Sequence, residues 1–265
     1  MSSIVGGAVP EFRSPTSRGQ TLDRASFIGK VGLALCFVGD PAAETANGAI
    51  AGLDLELVEF GHRRVQLLLV AAASAREVRE LADARGYTVP LLADPAGDIA
   101  SAFGVTPGAS AFEWFIVDIV GTVVDAGADE PEAIASKLLN AVDEVGIAQP
   151  DPSLDDLTGV ARDATTLLDA IHGLEAFGYH GQFIARTGGQ IECVVCKHES
   201  APERMRCDLI YRLEGPSDPS DMLAIGALRC PRCGTHGTLV LNYGPEAGEE
   251  DDEALRRLEQ PDVVT

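Results

Sequence analysis

The sequence lacks several features that would place it in a large class of proteins. No apolar run reaches the length of a membrane-spanning helix, and no basic stretch followed by an apolar core opens the chain. We therefore expect no membrane association and no export, and we expect a cytoplasmic location. Basic residues are scarce, at 20 against 41 acidic ones, and the net charge is -21. Because such a surface repels phosphates, nucleic acid is not an expected partner.

Cysteine is also scarce, with six residues in 265, and none occurs between Cys36 and Cys193. Four of the six form two C-x-x-C pairs in the second half of the chain. In a protein without an export signal, this pattern favours metal or redox chemistry over a structural disulfide framework.

Residues 1–147 alternate between apolar segments and amphipathic segments. The runs 31–38 and 65–71 are continuously apolar, which is typical of strands buried on both faces. A hairpin is predicted around Gly121. This alternation predicts an α/β domain whose sheet is covered by helices on both faces. Helices are predicted over 42–60, 74–85 and 131–145, with Ser74 as the N-cap of the second one.

A second domain is predicted to follow a linker. Residues 148–157 contain prolines and acids and few apolar side chains, which is a linker composition. Residues 158–246 are predicted to form a small α+β domain, with one helix over 157–177 and then short strands that include 209–213 and 238–242. Residues 247–265 are interpreted as an acidic tail that includes a short helix around 255–258.

Several short motifs of the first domain occur in the order seen in one known family. They resemble motifs of the peroxiredoxins of the alkyl hydroperoxide reductase and thiol-specific antioxidant type. The resemblance implies a thioredoxin-like fold of the peroxiredoxin type, and it implies thiol-dependent peroxidase chemistry for an intact site. The motifs are 7–12 (GAVPEF), 27–30 (FIGK), 90–97 (PLLADPAG), 102–105 (AFGV) and 115–118 (FIVD).

The residues that this resemblance would make catalytic are missing. The family motif P-x-x-x-[T/S]-x-x-C aligns with Pro41 and Thr45, but Gly48 stands where the peroxidatic cysteine belongs. The arginine that the family places before the FIVD strand is absent, and Glu113 lies there instead. A carboxylate opposes thiolate formation. We therefore interpret Pro41, Thr45 and Gly48 as a degenerate site without a catalytic residue.

Cys36 is the other thiol of the first domain. It lies inside the apolar run 31–38, where burial raises a thiol pKa and makes the group inert. A structural role is predicted, and a relocated catalytic thiol is the alternative.

The two C-x-x-C pairs predict a metal site. Cys193, Cys196, Cys230 and Cys233 supply four sulfurs, which suits one structural Zn²⁺ per chain in tetrahedral geometry. The sequence CPRCG at 230–234 resembles a zinc-ribbon knuckle. A redox-active dithiol and an iron–sulfur centre are the competing interpretations. Four cysteines leave no open coordination position, so zinc catalysis is not expected.

Other residues near the pairs have secondary interpretations. His198 and His236 are expected to lie at the surface or behind the ligands, and Cys207 is expected to pack in a strand. Basic residues in this region can form a local patch, which supports a zinc-ribbon nucleic-acid binder as one alternative. These basic residues are Lys197, Arg204, Arg206, Arg212, Arg229 and Arg232.

Three functions follow from these observations. The first is a redox-degenerate peroxiredoxin-like protein with a structural zinc site, which acts as a binding or scaffold protein through a protein partner or self-association. The second is a thiol peroxidase or redox sensor that uses a non-standard cysteine. The third is the nucleic-acid binder, which the overall acidity disfavours.

Overall fold

The chain forms two compact units, Met1–Gln149 and Pro150–Thr265, in a computed structural model. The structure describes residues 4–105, 111–147, 151–213, 222–245 and 247–258. Part of the predicted linker, 148–150, and part of the segment before the FIVD strand, 109–110, lie outside these residues. No helix of the described part is long and apolar enough to cross a membrane.

The first unit is built on a five-stranded mixed sheet, and its fold class is the one predicted. The strand order is β5-β4-β3-β6-β7; β3, β4 and β5 run parallel, and β6 is antiparallel to both β3 and β7. A separate two-stranded sheet pairs β1 with β2. The strands are β1 (Arg13–Pro15), β2 (Thr21–Asp23), β3 (Gly32–Gly39), β4 (Val65–Ala71), β5 (Leu91–Ala93), β6 (Phe112–Val117) and β7 (Val123–Asp129).

Helices connect and flank these strands. Ser74 caps α3 as predicted, because its side chain accepts from the Glu77 amide while the Glu77 carboxylate accepts from the Ser74 amide. The helix ends at Gly86, whose φ of 70° is left-handed. The helices are α1 (Glu44–Leu55), α2 (Leu57–His62), α3 (Ala75–Arg85), α4 (Asp98–Phe103) and α5 (Ile134–Val145).

The core of this unit lies against the two apolar strands. Residues 32–38 of β3 are all buried, as the continuous apolar run predicts. Phe37, Phe103 and Phe115 pack with ring centroids 5.0–5.7 Å apart. On the neighbouring strands, the ring of Trp114 fills the space that a Cβ at Gly127 would occupy, so this position needs glycine.

One helix prediction in the first unit is wrong. The segment 42–60 was expected to be continuous, but Glu56 leaves helical geometry (φ -87°, ψ 0°) and divides it into α1 and α2. The turn directs the chain toward β4, which leaves Leu57 and Phe60 buried in α2. The predicted hairpin is present, although β7 extends to Asp129.

The second unit contains a six-stranded sheet in the order β10-β9-β8-β13-β12-β11. Neighbouring strands are antiparallel except β8 and β13, which are parallel. The strands are β8 (Gly181–Arg186), β9 (Gln190–Cys193), β10 (Glu199–Ser200), β11 (Arg206–Leu213), β12 (Leu223–Arg229) and β13 (His236–Asn242), and the helices are α6 (Leu154–Asp163), α7 (Leu167–Ala176) and α8 (Glu249–Leu258).

The predicted linker and first helix of this unit need correction. Helix α6 begins inside the predicted linker 148–157, and Leu157 is buried in a core with Leu174 and Tyr179. The predicted helix 157–177 is two helices, because Ala164 is extended (φ -72°, ψ 123°) and Thr166 caps a new one. Ser153 and Thr166 each form a reciprocal cap with an aspartate three residues later.

The predicted acidic tail also contains folded structure. Helix α8 lies within 247–265, and Ala254 and Leu255 are buried on its inner face. The Arg257 guanidinium pairs with both carboxylate oxygens of Glu203 at 2.6 and 2.8 Å. This amphipathic helix is therefore part of the second unit, and its acids occupy the outer face and the first turn.

Candidate functional site

Two turns of the second unit carry the four paired cysteines. Cys193 ends β9 and Cys196 follows in the turn to β10, whereas Cys230 and Cys233 lie in the turn between β12 and β13. Because β8 lies between β9 and β13, the sheet brings the two turns together. The four cysteines are buried, and their sulfur atoms all lie within 4.8 Å of one another.

The sulfur positions fit a tetrahedral metal ion. Cys193 Sγ lies 3.8 Å from Cys233 Sγ, and Cys196 Sγ lies 3.7 Å from Cys230 Sγ. A tetrahedron with metal–sulfur bonds of about 2.3 Å has sulfur–sulfur edges of about 3.8 Å. A disulfide would need about 2.05 Å, and all six cysteines are free. The cluster can therefore hold a metal ion, and zinc is compatible with it.

The two turns share one backbone geometry. The Cys193 amide donates to the carbonyl of His198, and the Cys230 amide donates to the carbonyl of Thr235, five residues on in each case. Residues 197 and 234, one after the second cysteine, are both left-handed, with φ of 59° and 67°. Gly234 adopts this conformation at little steric cost because it has no Cβ, whereas Lys197 adopts the same conformation with a side chain.

Hydrogen bonds reach the sulfur atoms from neighbouring groups. The Arg232 amide donates to Cys230 Sγ at 3.4 Å, and the Thr235 hydroxyl lies 3.0 Å from Cys233 Sγ. Four sulfurs this close cannot all ionise without a cation. Hydrogen bonds with the other three cysteines lower the pKa of Cys230, and hydrogen bonds among the same thiols raise the pKa of Cys193 and of Cys233.

Neither histidine joins this cluster among the described residues. His198 is exposed, and His236 is buried with its ring packed edge-on against Tyr179 at 5.5 Å. Cys207 lies half-buried in β11, where burial, with a smaller effect from the Asp208 charge, raises its pKa to about 11.

A buried ionic network next to the cluster was not found from the sequence. The Arg229 side chain is only 6% exposed, and its guanidinium contacts Asp208 at 2.5 Å and Asp151 at 2.6 Å. The Tyr179 hydroxyl donates to Asp208 at 2.8 Å. From the sequence, Arg229 was predicted only to be part of a basic patch. No spacing rule relates Arg229 to Asp208 and Asp151, which lie 21 and 78 residues away.

Half of the predicted basic patch is paired with carboxylates. Arg206 pairs with Asp208 at 3.1 Å, and Lys197 pairs with Glu192 at 3.1 Å. With Arg229 buried, three of the six basic residues of the patch have carboxylate partners. This pairing removes much of the positive potential on which the nucleic-acid alternative depends.

The residues predicted to form a degenerate site lie at the start of α1. Pro41 is buried before the helix, Thr45 is the second residue of α1, and Gly48 is exposed in its second turn. A Cβ built at Gly48 meets no atom within 4 Å, so a side chain would fit there. Glu113 is half-buried near the start of β6.

Cys36 is fully buried in the middle of β3, as predicted. It is in register with Leu69 of β4 and Trp114 of β6 and has no exposed surface. Burial raises the pKa of the Cys36 thiol far above its ordinary value. The thiol is neutral and inaccessible in this state, which is the environment of a structural cysteine.

Beside the degenerate site, a cavity of about 610 Å³ is lined by residues of the first unit. Thr45 lies on its wall, and Phe37 and Phe112 supply aromatic surface. Five carboxylates line it, and no lysine, arginine or histidine of the described residues does. The five are Asp40, Asp94, Glu113, Glu130 and Glu132.

Comparisons with known proteins agree with this fold. Residues 5–126, which lie within the first unit, match the model of the AhpC/TSA family. No curated protein matches the chain. The first unit is therefore similar to the AhpC/TSA family over these residues.

Solved peroxiredoxins are among the similar structures. Peroxidoxin BcpB from Mycobacterium tuberculosis is 21% identical, with 54% of this chain and 97% of that chain covered and a TM-score of 0.49. Peroxiredoxin Q from Xanthomonas campestris is 18% identical, with 50% and 90% covered and a TM-score of 0.47. The reduced 2-Cys peroxiredoxin of Plasmodium vivax is 22% identical, with 54% and 98% covered and a TM-score of 0.45.

Proposed function

We propose that this protein is a redox-inactive relative of the peroxiredoxins, that it acts as a binding or scaffold protein, and that one zinc ion stabilises its second unit. Two observations together support the proposal: a glycine is exposed at the expected nucleophile position, and the cysteine of the same unit is buried. Gly48 stands at the family's nucleophile position, and Cys36 has no surface through which peroxide can reach it.

The electrostatics around the degenerate site support the same conclusion. Peroxide reduction needs a thiolate, and a thiolate is stabilised by nearby cations and hydrogen-bond donors. The cavity beside Thr45 carries acidic side chains instead, and Glu113 lies where the resemblance expects an arginine. A thiolate introduced there would be repelled by its surroundings.

Zinc is proposed as the ion at Cys193, Cys196, Cys230 and Cys233, because four thiolates in tetrahedral spacing suit it. When bound, the ion supplies cross-linking between two turns and no reactive coordination position. The proposed compartment is the cytoplasm, where thiols stay reduced. The proposed partner is another protein or a second copy of the chain.

A coupled peroxidase assay on the zinc-loaded full chain tests the proposal. We expect no turnover of hydrogen peroxide or an organic hydroperoxide above the rate of free cysteine. Robust turnover that disappears in Cys36→Ser would make Cys36 a relocated catalytic thiol and overturn the proposal. Turnover that survives in Cys36→Ser but disappears in Cys207→Ser would support the peroxidase alternative through Cys207, the half-buried thiol outside the cluster.

A further inference from the structure

The cavity of the first unit lies at one end of the strands of the sheet, where the ends of β3 and β5 meet the start of β6. Residues 37–39 end β3, and Asp94 directly follows β5. Because β6 is antiparallel to β3, its first residues, Phe112 and Glu113, lie beside the carboxyl end of β3. Crevices at the carboxyl ends of parallel strands are common binding places, and 610 Å³ is the size of a small-molecule site.

The cavity wall combines apolar and aromatic surface with acid groups. Phe37, Val38 and Val70 belong to the buried core, and each has at most 6% of its surface exposed. Phe112 adds a second aromatic ring. An apolar ligand body would be desolvated against such a wall, and aromatic faces also attract cations.

The charge of the lining has one sign. Five carboxylates line the cavity, and no lysine, arginine or histidine of the described residues belongs to the lining. Glu130 and Glu132 are exposed, whereas Asp94 is 5% exposed. Inside a concave surface with apolar walls, such charges act on a ligand more strongly than on a flat surface.

The N-termini of α1 and α4 contribute Thr45 and Gly97 to the cavity lining, and helix N-termini favour anions. Each carries about half a positive elementary charge at most, so together they cannot balance five carboxylates. The donors of α4 are already used, because Asp94 accepts from the amides of Ile99 at 3.1 Å and Ala100 at 2.9 Å. The lining therefore remains strongly negative after the helices are counted.

We propose that this cavity binds a small organic cation, an ammonium or guanidinium group carried on an apolar body. The apolar body would lie against the aromatic and aliphatic wall, and the cationic group would lie among the carboxylates. A carboxylate would be repelled by the negative charge of the lining, and a neutral peroxide would gain no binding energy from that charge. The inference goes beyond the proposed function, since it names a ligand class, and it does not depend on zinc.

Calorimetric titration of the full chain with phenylbutylammonium tests this proposal. Phenylbutanol and phenylvalerate keep the same phenylbutyl body and replace the cation with a neutral or a negative group. We expect the ammonium to bind roughly tenfold or more tightly than the alcohol, and the carboxylate to show no binding. Raising the salt from about 20 to about 500 mM should weaken ammonium binding and leave alcohol binding unchanged. Equal affinity for ammonium and alcohol, or no ammonium binding at about 10 mM, would overturn the proposal.

A matched pair of variants separates the cavity from the acidic surface in general. Glu130→Gln/Glu132→Gln removes two exposed carboxylates of the cavity. Asp83→Asn/Glu144→Gln removes two exposed carboxylates of the same unit that do not line it. We expect the first double variant to weaken phenylbutylammonium binding about tenfold and the second to leave it unchanged.

An equal effect of the two double variants would mean non-specific attraction to an acidic protein and would overturn the proposal. Failure here would leave the absence of peroxidase turnover untouched, and peroxidase turnover would leave cation binding untouched. The two proposals can therefore be rejected independently.

Discussion

Lys197 and Gly234 occupy equivalent positions in the two cysteine turns and share a left-handed backbone. Each amide donates to the carbonyl of the first cysteine of its turn, at 2.7 Å for Lys197 to Cys193 and 2.9 Å for Gly234 to Cys230. An L-residue in this conformation costs about 1–2 kcal/mol, so the first turn is strained and the second is not.

This difference gives a prediction for Gly234→Ala. The added Cβ makes the left-handed conformation unfavourable, so the free energy of unfolding of the second unit should fall by about 1 kcal/mol or more. Gly159→Ala is the control, because Gly159 lies inside α6 and its Cβ position approaches only Arg162, at 3.8 Å. The control should be neutral or stabilising, since alanine favours helix more than glycine by about 1 kcal/mol. Urea denaturation followed by circular dichroism measures both. Similar losses in both variants would show that the turn conformation is not the cause.

Metal binding should require the buried cluster and no other cysteine. Elemental analysis of the purified chain is expected to find one zinc, and Cys230→Ser is expected to lose it, because one of four sulfur ligands is replaced. The second unit should then be destabilised by several kcal/mol, since the ion contributes folding free energy, while the first unit stays folded.

Cys207→Ser is the matched control for metal binding, because Cys207 is a thiol of the same unit outside the cluster. It should keep its zinc. Zinc retained by Cys230→Ser, or lost from Cys207→Ser, would show that the ligand set is wrong.

The ion pair between Arg63 and Asp143 should make a pH-dependent contribution to the stability of the first unit. The Arg63 guanidinium contacts both oxygens of Asp143, at 2.7 and 3.0 Å, and this hydrogen bonding lowers the pKa of Asp143. A lowered folded-state pKa stabilises the fold above the unfolded value of about 3.9, and the contribution is lost as the pH falls through the folded value. Asp143→Asn should therefore cost about 0.5–1 kcal/mol at neutral pH and nothing near pH 2. Asp83→Asn is the exposed control. A cost for Asp143→Asn that is the same at both pH values would rule out the ionic explanation.

Restoring the thiol tests the degenerate site directly. Gly48→Cys should fold, since its Cβ position is open, and it should acquire weak peroxidase activity. Activity should stay slow, because the neighbouring cavity is acidic and no arginine stabilises the thiolate. Gly52→Cys, one helical turn further along α1, also has room, with Ala135 Cβ at 4.0 Å, and it should be inactive. Equal activity in both variants would mean that position 48 retains nothing of a peroxidatic site.

Much of the fold follows from local sequence patterns. The apolar run around Cys36 gives a strand buried along almost its whole length, and Ser74 with Glu77 gives a cap at the expected residue. The cysteine spacing indicated the four-sulfur cluster without knowledge of the sheet. The strand, the cap and each cysteine pair depend on residues within a few positions of each other, which is why a sequence can reveal them.

Other features depend on tertiary contacts or on weak local signals. The break at Glu56 follows from burial of α2 against β4, and the burial of Arg229 depends on two distant aspartates. The N-caps of α6 at Ser153 and of α7 at Thr166 could have been predicted, because each is followed by aspartate three residues later. The acidic cavity could not, since its five carboxylates come from four separate places in the chain.

The parallel pairing of β8 with β13 joins segments that lie far apart in the chain. Gly181 pairs with Gly237 across the intervening strands β9 to β12, and closing so long a segment is entropically costly and slow. The cysteine turns lie close to this pairing, with Cys193 opposite Phe183 in β8 and Cys233 shortly before Gly237. An ion captured by the nascent chain would tether these segments before the sheet exists. The metal-bound cluster would then shorten the conformational search during folding, and it would also stabilise the folded structure.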